Sequence, residues 1–162
     1  EAVDELSGET LRYGVDLSLR HQLLPWLFAD FDANYAFARA LGEPEGKDYI
    51  PLAPRWTTIG GLTITSQNGI HSSLRYRYVD ERPANEDNSV RAKGYFLLDA
   101  SIHYTRNNIQ FSVSATNLLD TEWNEAQFHT KTQLPGGSEG ISELTFTPGD
   151  PFFIKAGISF HF

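Results

Sequence analysis

Five histidines, His21, His71, His103, His129 and His161, are the side chains best suited to metal ligation or proton transfer near neutral pH. They are scattered over separate segments, without the short spacing of a metal-ligand pair on one element. A serine, a histidine and an aspartate would make a nucleophilic triad only if the fold gathered them, and no motif marks such a set. The chain is therefore expected to hold no catalytic site, no cofactor and no metal. Two carboxylate groups, Glu43, Glu45 and Asp48 and then Glu86 and Asp87, have the oxygen chemistry of a cation loop. Solvated loop tips are the simpler reading. The glycines of TIGGLTIT are not a phosphate cradle, because no helix follows them. Inside a strand they permit bending or the close approach of another segment.

The other charges are placed more systematically. Asp16, Asp30, Asp32, Arg75, Arg77, Asp99 and Lys155 all occur in runs where apolar residues recur at every second place, and each falls between the apolar positions. Side chains alternate faces along a strand, so each run has one apolar and one polar face. In LRYGVDLSLR the set Leu11, Tyr13, Val15, Leu17 and Leu19 opposes Arg12, Gly14, Asp16, Ser18 and Arg20. In LFADFDANYAFARA, Leu27, Ala29, Phe31, Ala33, Tyr35 and Phe37 oppose Phe28, Asp30, Asp32 and Asn34. RWTTIGGLTIT, IHSSLRYRYV, YFLLDASIHYT and IQFSVSATNLL continue the pattern, and DPFFIKAGISFHF ends it. This gives about seven strands and no convincing helical period.

Links between these runs alternate in length. HQLLPW, SQNG and RNN are short; GEPEGKDYIPLAP, DERPANEDNSVRAK and the stretch from about Asp120 to Asp150 are long. All short turns then lie at one end of the sheet and all long loops at the other, as in outer-membrane barrels. Runs of about 9 to 14 residues suffice for a tilted crossing of a bilayer.

Composition agrees with that class. A net charge of -8 argues against a nucleic-acid partner, which needs a basic stripe. Mean hydropathy of -0.36 and the lack of a long apolar run exclude helical spans only, since a barrel hides its apolar surface in alternate residues. The 11 Phe, 7 Tyr and 3 Trp suit membrane boundaries, and Tyr35, Phe37, Trp56, Tyr76, Tyr78, Phe96 and Tyr104 fall toward strand ends. The apolar set, including Leu17, Phe31, Leu74, Leu98, Val113 and Ile158, is expected to face lipid. Asp16, Asp32, Arg75, Asp99, Ser114 and Lys155 are expected to face the interior.

SATNLLDTEWNEAQF, followed by a long loop and an aromatic-terminated strand, resembles the C-terminal end of TonB-dependent outer-membrane receptors. The matching box is Asn117, Leu118, Leu119, Asp120 and, shortly after, Trp123. RYGVDLSLR, HQLLPWL and YIPLAPRWTTIGGL resemble further pieces of those receptors in the same order. The resemblance implies an all-β transmembrane antiparallel barrel segment, about seven of about 22 strands, with residues 1 to 162 as the C-terminal portion. It implies an outer-membrane location in a Gram-negative bacterium and uptake of a scarce ligand, the identity of which stays open. It implies as partners membrane lipid, the remainder of the barrel and plug, TonB acting through that plug, and the barrel-assembly machinery. Phe160 and Phe162 are implied as the assembly signal at the end of the last strand. Neither a plug nor a TonB-binding box is recognisable in the chain. The alternative is a self-contained small outer-membrane barrel with a structural or adhesive role, which an odd number of strands disfavours.

Overall fold

A computed structural model describes residues 8–132 and 141–161 of the chain. In chain order its strands are β1 (Thr10–Leu24), β2 (Leu27–Ala40), β3 (Trp56–Thr65), β4 (Ile70–Val79), β5 (Arg82–Pro83), β6 (Arg91–Ala92), β7 (Tyr95–Arg106), β8 (Ile109–Thr116), β9 (Asn124–Thr132), β10 (Ile141–Pro148) and β11 (Phe153–Phe160). Seven of them form one sheet in the order β1-β2-β3-β4-β7-β8-β11, antiparallel throughout. β5 with β6 and β9 with β10 are separate two-stranded ribbons.

The three tight connections explain themselves locally. Pro25 and Trp26 alone separate β1 from β2, with an irregularity between Gln22 and Leu24. In the β3–β4 turn Gly69 takes φ 81°, the left-handed conformation that a glycine after asparagine supplies at little cost. Asn107 takes φ 53° between β7 and β8, a position that Asn tolerates better than other side chains. All three turns lie at one end of the sheet.

The register keeps the two faces consistent across all seven strands. Asp16 stands opposite Asn34, Asp30 opposite Gly61, Gly61 opposite Arg75, and Arg75 opposite Asp99. Ser101 continues the same face to Ser114 and Ser114 to Lys155. Asp32 lies opposite Ile59, which pairs Arg77, so the seven charged residues singled out in the sequence share one face. Leu17, Phe31, Leu74, Leu98, Val113 and Ile158 share the other.

That apolar face has no protein cover. Val15 is 68% exposed and Ile158 59%, while the buried apolar residues among those described are only Ala84, Ala92, Leu97 and Ala115. A sheet in water buries one face against a second layer; here no second layer exists among the described residues.

Three details depart from the sequence reading. β1 runs on through HQLL to Leu24, because those residues pair with the start of β2 across the Pro25–Trp26 turn. β8 stops at Thr116 rather than including Leu118 and Leu119, because Asn117 turns the backbone to φ 51°. The stretch from Asp120 to Asp150 is not a plain link: it folds back on itself as β9 and β10, with Thr145 opposite Phe128 and Thr130 bonded to Thr145 through their hydroxyls at 2.6 Å.

Candidate functional site

The charged side chains of the polar face form a ladder across the sheet. Asn34 Nδ2 donates to Asp16 Oδ1 at 2.6 Å, and Ser18 Oγ donates to Asp32 Oδ1 at 2.5 Å. Arg20 holds the same Asp32 with both terminal nitrogens, at 3.1 and 2.7 Å, a bidentate fork. Arg75 pairs with Asp30, two strands away. Ser73 and Ser101 bond each other at 2.9 Å, and Asp99 Oδ1 accepts from the Asn117 backbone N–H at 2.9 Å. Arg77 takes no carboxylate among the described residues; its guanidinium lies 5.7 Å from the Trp123 ring. The register also sets His71 directly opposite His103 on this face, two of the five histidines that sequence spacing keeps apart.

The box at the end of β8 is a fastening. Asn117 is 3% exposed, and its side chain makes three bonds: Nδ2 donates to the carbonyls of Thr121 (3.0 Å) and Asp150 (3.1 Å), and Oδ1 accepts from Thr121 N (2.9 Å). Asp120, at φ 48°, accepts from Phe152 N at 3.0 Å. Trp123 Nε1 donates to the Asp150 carbonyl at 3.0 Å, and its ring packs 4.9 Å from that of Tyr95. Asn117, Asp120 and Trp123 therefore tie the exit of β8 to the entry of β11. Leu118 and Leu119 contribute no such bond from their side chains and stay 36% and 57% exposed.

At the long-loop end the connections interlock. Tyr49 N donates to Glu86 O at 3.1 Å and Leu52 N to Pro83 O at 2.7 Å, joining the β2–β3 loop to the β4–β7 loop. Gln127 on β9, 1% exposed, accepts from Lys93 N at 2.8 Å and donates to Lys93 O at 2.9 Å, joining the β9–β10 ribbon to the same loop. Sequence reasoning missed Gln127; its one signal is a glutamine at an alternating place between Ala126 and Phe128. Asp48 is bound by Arg39 at 2.7 Å, with the Arg39 guanidinium 3.7 Å from the Tyr49 ring. Asp87 is held below the usual carboxylate range by Ser89, which donates to it from Oγ at 2.6 Å and from N at 3.0 Å. Two of the five carboxylates flagged as cation ligands are thus engaged by the chain itself. Among the described residues no three metal-ligating side chains converge.

Clefts open at this rim among the described residues. One, of about 310 Å³, is bordered by Arg39, Tyr49, Arg55, Asp80, Glu81 and Arg91. Another, of about 630 Å³, lies under the β9–β10 ribbon and is bordered by Lys93, Trp123, Leu144, Phe146 and Pro148. On the apolar face just below the rim, Tyr13 packs on Phe37, Tyr35 on Trp56 and Tyr76 on Phe96, with ring centroids 4.8, 4.8 and 5.6 Å apart. At the short-turn end Tyr104, Phe111 and Phe160 are exposed on that same face. Phe162, the other half of the expected assembly signal, lies outside the described residues.

Comparison with known proteins follows the same lines. The model of the TonB dependent receptor-like β-barrel family matches residues 3–118, well over half of the chain. The ferric yersiniabactin uptake receptor FyuA from Yersinia pestis superimposes with a TM-score of 0.68 and 19% identity, over 96% of this chain and 24% of that one. The ferric-catecholate import receptor Fiu from E. coli K12, in its closed form, gives 0.72 and 19%, over 96% and 21%. The siderophore receptor PiuA from Acinetobacter baumannii gives 0.71 and 15%, over 94% and 22%. The chain spans less than a quarter of the length of each of these receptors. No significant match is found among curated proteins. With an uncovered apolar face, a register-matched polar face and this family match, the chain belongs to the TonB-dependent receptor β-barrel family.

Proposed function

We propose that residues 1 to 162 are the C-terminal part of the barrel of an outer-membrane TonB-dependent receptor, which imports a scarce ligand across the outer membrane of a Gram-negative bacterium. The observation that carries this reading is the division of faces, kept in register over seven strands. Facing lipid, a midplane Arg75 would cost about 2 to 4 kcal/mol. Facing a wet lumen, it pairs with Asp30. In this reading Asp16, Asp30, Asp32, Arg75, Arg77, Asp99 and Lys155 line the lumen, where a plug coupled to TonB would meet them. The aromatic pairs and the Tyr104, Phe111 and Phe160 group then sit at the two membrane boundaries.

The edges of the sheet supply the second argument. β1 and β11 end the strand order and do not pair with each other among the described residues. Inside hydrocarbon each unsatisfied backbone group costs several kcal/mol. Both edges therefore take strands from the remainder of a barrel of about 22 strands. A self-contained small barrel is not favoured, since it would close β11 on β1. Phe160, and Phe162 beyond it, are the residues we assign to recognition by the assembly machinery, and Asn117, Leu118, Leu119, Asp120 and Trp123 to holding the last loop.

The test uses the absence of cysteine in the chain. Single cysteines are placed at Leu17, Phe31, Leu74, Leu98, Val113 and Ile158, and at Asp16, Asp32, Arg75, Asp99, Ser114 and Lys155. A water-soluble thiol reagent applied to outer membranes holding the full assembly should label the second set and spare the first. Equal labelling of the two sets would remove the barrel reading.

A further inference from the structure

His71 on β4 and His103 on β7 are direct cross-strand partners, both on the polar face, near the short-turn end of the sheet. Directly opposed residues of an antiparallel pair have Cβ atoms about 4.5 to 5.5 Å apart. Over that span two imidazoles can turn toward one ion and each reach it at about 2.0 to 2.1 Å. The surroundings leave both rings available: the next pair on this face, Ser73 and Ser101, satisfy each other, and neither imidazole has a hydrogen bond or ion pair among the described residues. Thr65 lies opposite His71 and Ser112 opposite His103, so the row carries hydroxyls and no charged side chain. No third ligating side chain joins them among the described residues, which leaves the other coordination positions to water.

We infer that His71 and His103 form a two-imidazole anchor for a divalent transition-metal ion, with Cu²⁺ bound most tightly. The preference follows from ligand chemistry: imidazole suits copper, nickel and zinc, and affinity for a nitrogen and oxygen set peaks at Cu²⁺ in the divalent series. A site with two protein ligands and open positions accepts the square-planar or tetragonal arrangement of Cu²⁺, whereas a structural zinc site needs four ligands. The net charge of -8 favours accumulation of cations at the protein. The inference rests on strand register alone and goes beyond transport of the receptor's ligand.

The experiment titrates Cu²⁺ into the chain purified in its native membrane assembly, by calorimetry and by the nitrogen hyperfine structure of the copper EPR signal. His71→Asn and His103→Asn should each weaken binding at least about tenfold, the equivalent of 1.4 kcal/mol, and should reduce the spectrum from two coordinated nitrogens to one. The double variant should lose the site, whereas His21→Asn and His161→Asn should leave it unchanged. Unchanged Cu²⁺ affinity in either of the first two variants, or a single nitrogen in the parent protein, overturns the anchor. Heat-modifiable migration of each variant verifies that it is folded, and cysteine labelling that still separates the two faces keeps this result distinct from a failure of the barrel itself.

Discussion

Asp30 and Arg75 form an ion pair across a strand to which neither belongs. Asp30 is on β2 and Arg75 on β4, and the residue of β3 in register with both is Gly61. With no side chain at Gly61 the arginine stem lies over the β3 backbone; a Cβ there would run into the Leu74 carbonyl oxygen and meet Arg75 Cδ at 3.0 Å and Arg75 Cα at 3.1 Å. Gly60, on the opposite face, leaves the same kind of room: a Cβ would meet the Asp30 carbonyl oxygen at 2.6 Å and the Tyr76 ring at 3.0 Å. Consecutive glycines thus admit a charge on one face of the sheet and an aromatic ring on the other.

Gly61→Val should therefore destabilise the barrel by about 1 to 3 kcal/mol, through overpacking against β4 and displacement of Arg75. Gly157→Ala is the contrasting change. A Cβ at Gly157 meets only the Ser112 hydroxyl, at 3.0 Å, and that side chain can rotate away. Its effect should stay within about 0.5 kcal/mol. The midpoint of heat modification in detergent reads both, and equal losses would contradict the crossing geometry.

The two ion pairs of the ladder should couple unequally. Asp30 is 16% exposed and Arg75 40%, whereas Arg20 and Asp32 are 60% and 30% exposed. A double-mutant cycle with Asp30→Asn and Arg75→Gln should give a coupling of about 1 kcal/mol or more. The corresponding cycle at Arg20 and Asp32 should give less and should fade with added salt, because water and counterions screen exposed pairs. A larger coupling at the second pair would mean that exposure is not the deciding term.

The seven long strands were legible because each pairs a strong apolar set with a polar one at period two, a contrast that survives without any tertiary information. β9 and β10 lack it. NEAQFHTKT and ISELTFTP carry few apolar residues, and what docks their ribbon to the rim is Gln127 clamping the Lys93 backbone. HQLL has two adjacent leucines and no alternation, so only pairing across the Pro25–Trp26 turn reveals it as strand. The Asn117 box was legible as a motif, but its purpose required knowing that the Asp150 carbonyl comes back to it from 33 residues away. The pairing of His71 with His103 likewise depends on register across the β4–β7 loop, which no local pattern determines.

Gln127→Ala should free the ribbon without opening the sheet. It removes both side-chain bonds to the Lys93 backbone, at about 0.5 to 1.5 kcal/mol for each bond lost. Amide exchange in β9 should accelerate by at least about tenfold, since 1.4 kcal/mol corresponds to a factor of ten. Exchange in β3 and β4 should not change. If β9 keeps its protection, the ribbon is held by other contacts.

Substitutions at Asn117 should fall in an order set by its two separate tasks. The residue must accept φ 51°, and its amide must serve Thr121 and Asp150 at once. Asn117→Gly keeps the backbone conformation and loses only the bonds. Asn117→Ala loses the bonds and also carries the left-handed penalty of a Cβ, about 1 to 2 kcal/mol, so alanine should be the less stable of the two by about that amount. Asn117→Asp retains an acceptor for Thr121 N but turns a carboxylate toward the Thr121 and Asp150 carbonyls, where the amide nitrogen had donated. It should be more damaging than glycine despite being nearly isosteric, and lowering the pH should relieve it as the carboxylate gains the proton that lets it donate. Because Trp123 Nε1 donates to the same Asp150 carbonyl, Trp123→Phe should lose little further stability once Asn117 has been replaced. Heat-modification midpoints for the single and double variants measure this, and strictly additive losses would show that the two side chains hold the loop independently.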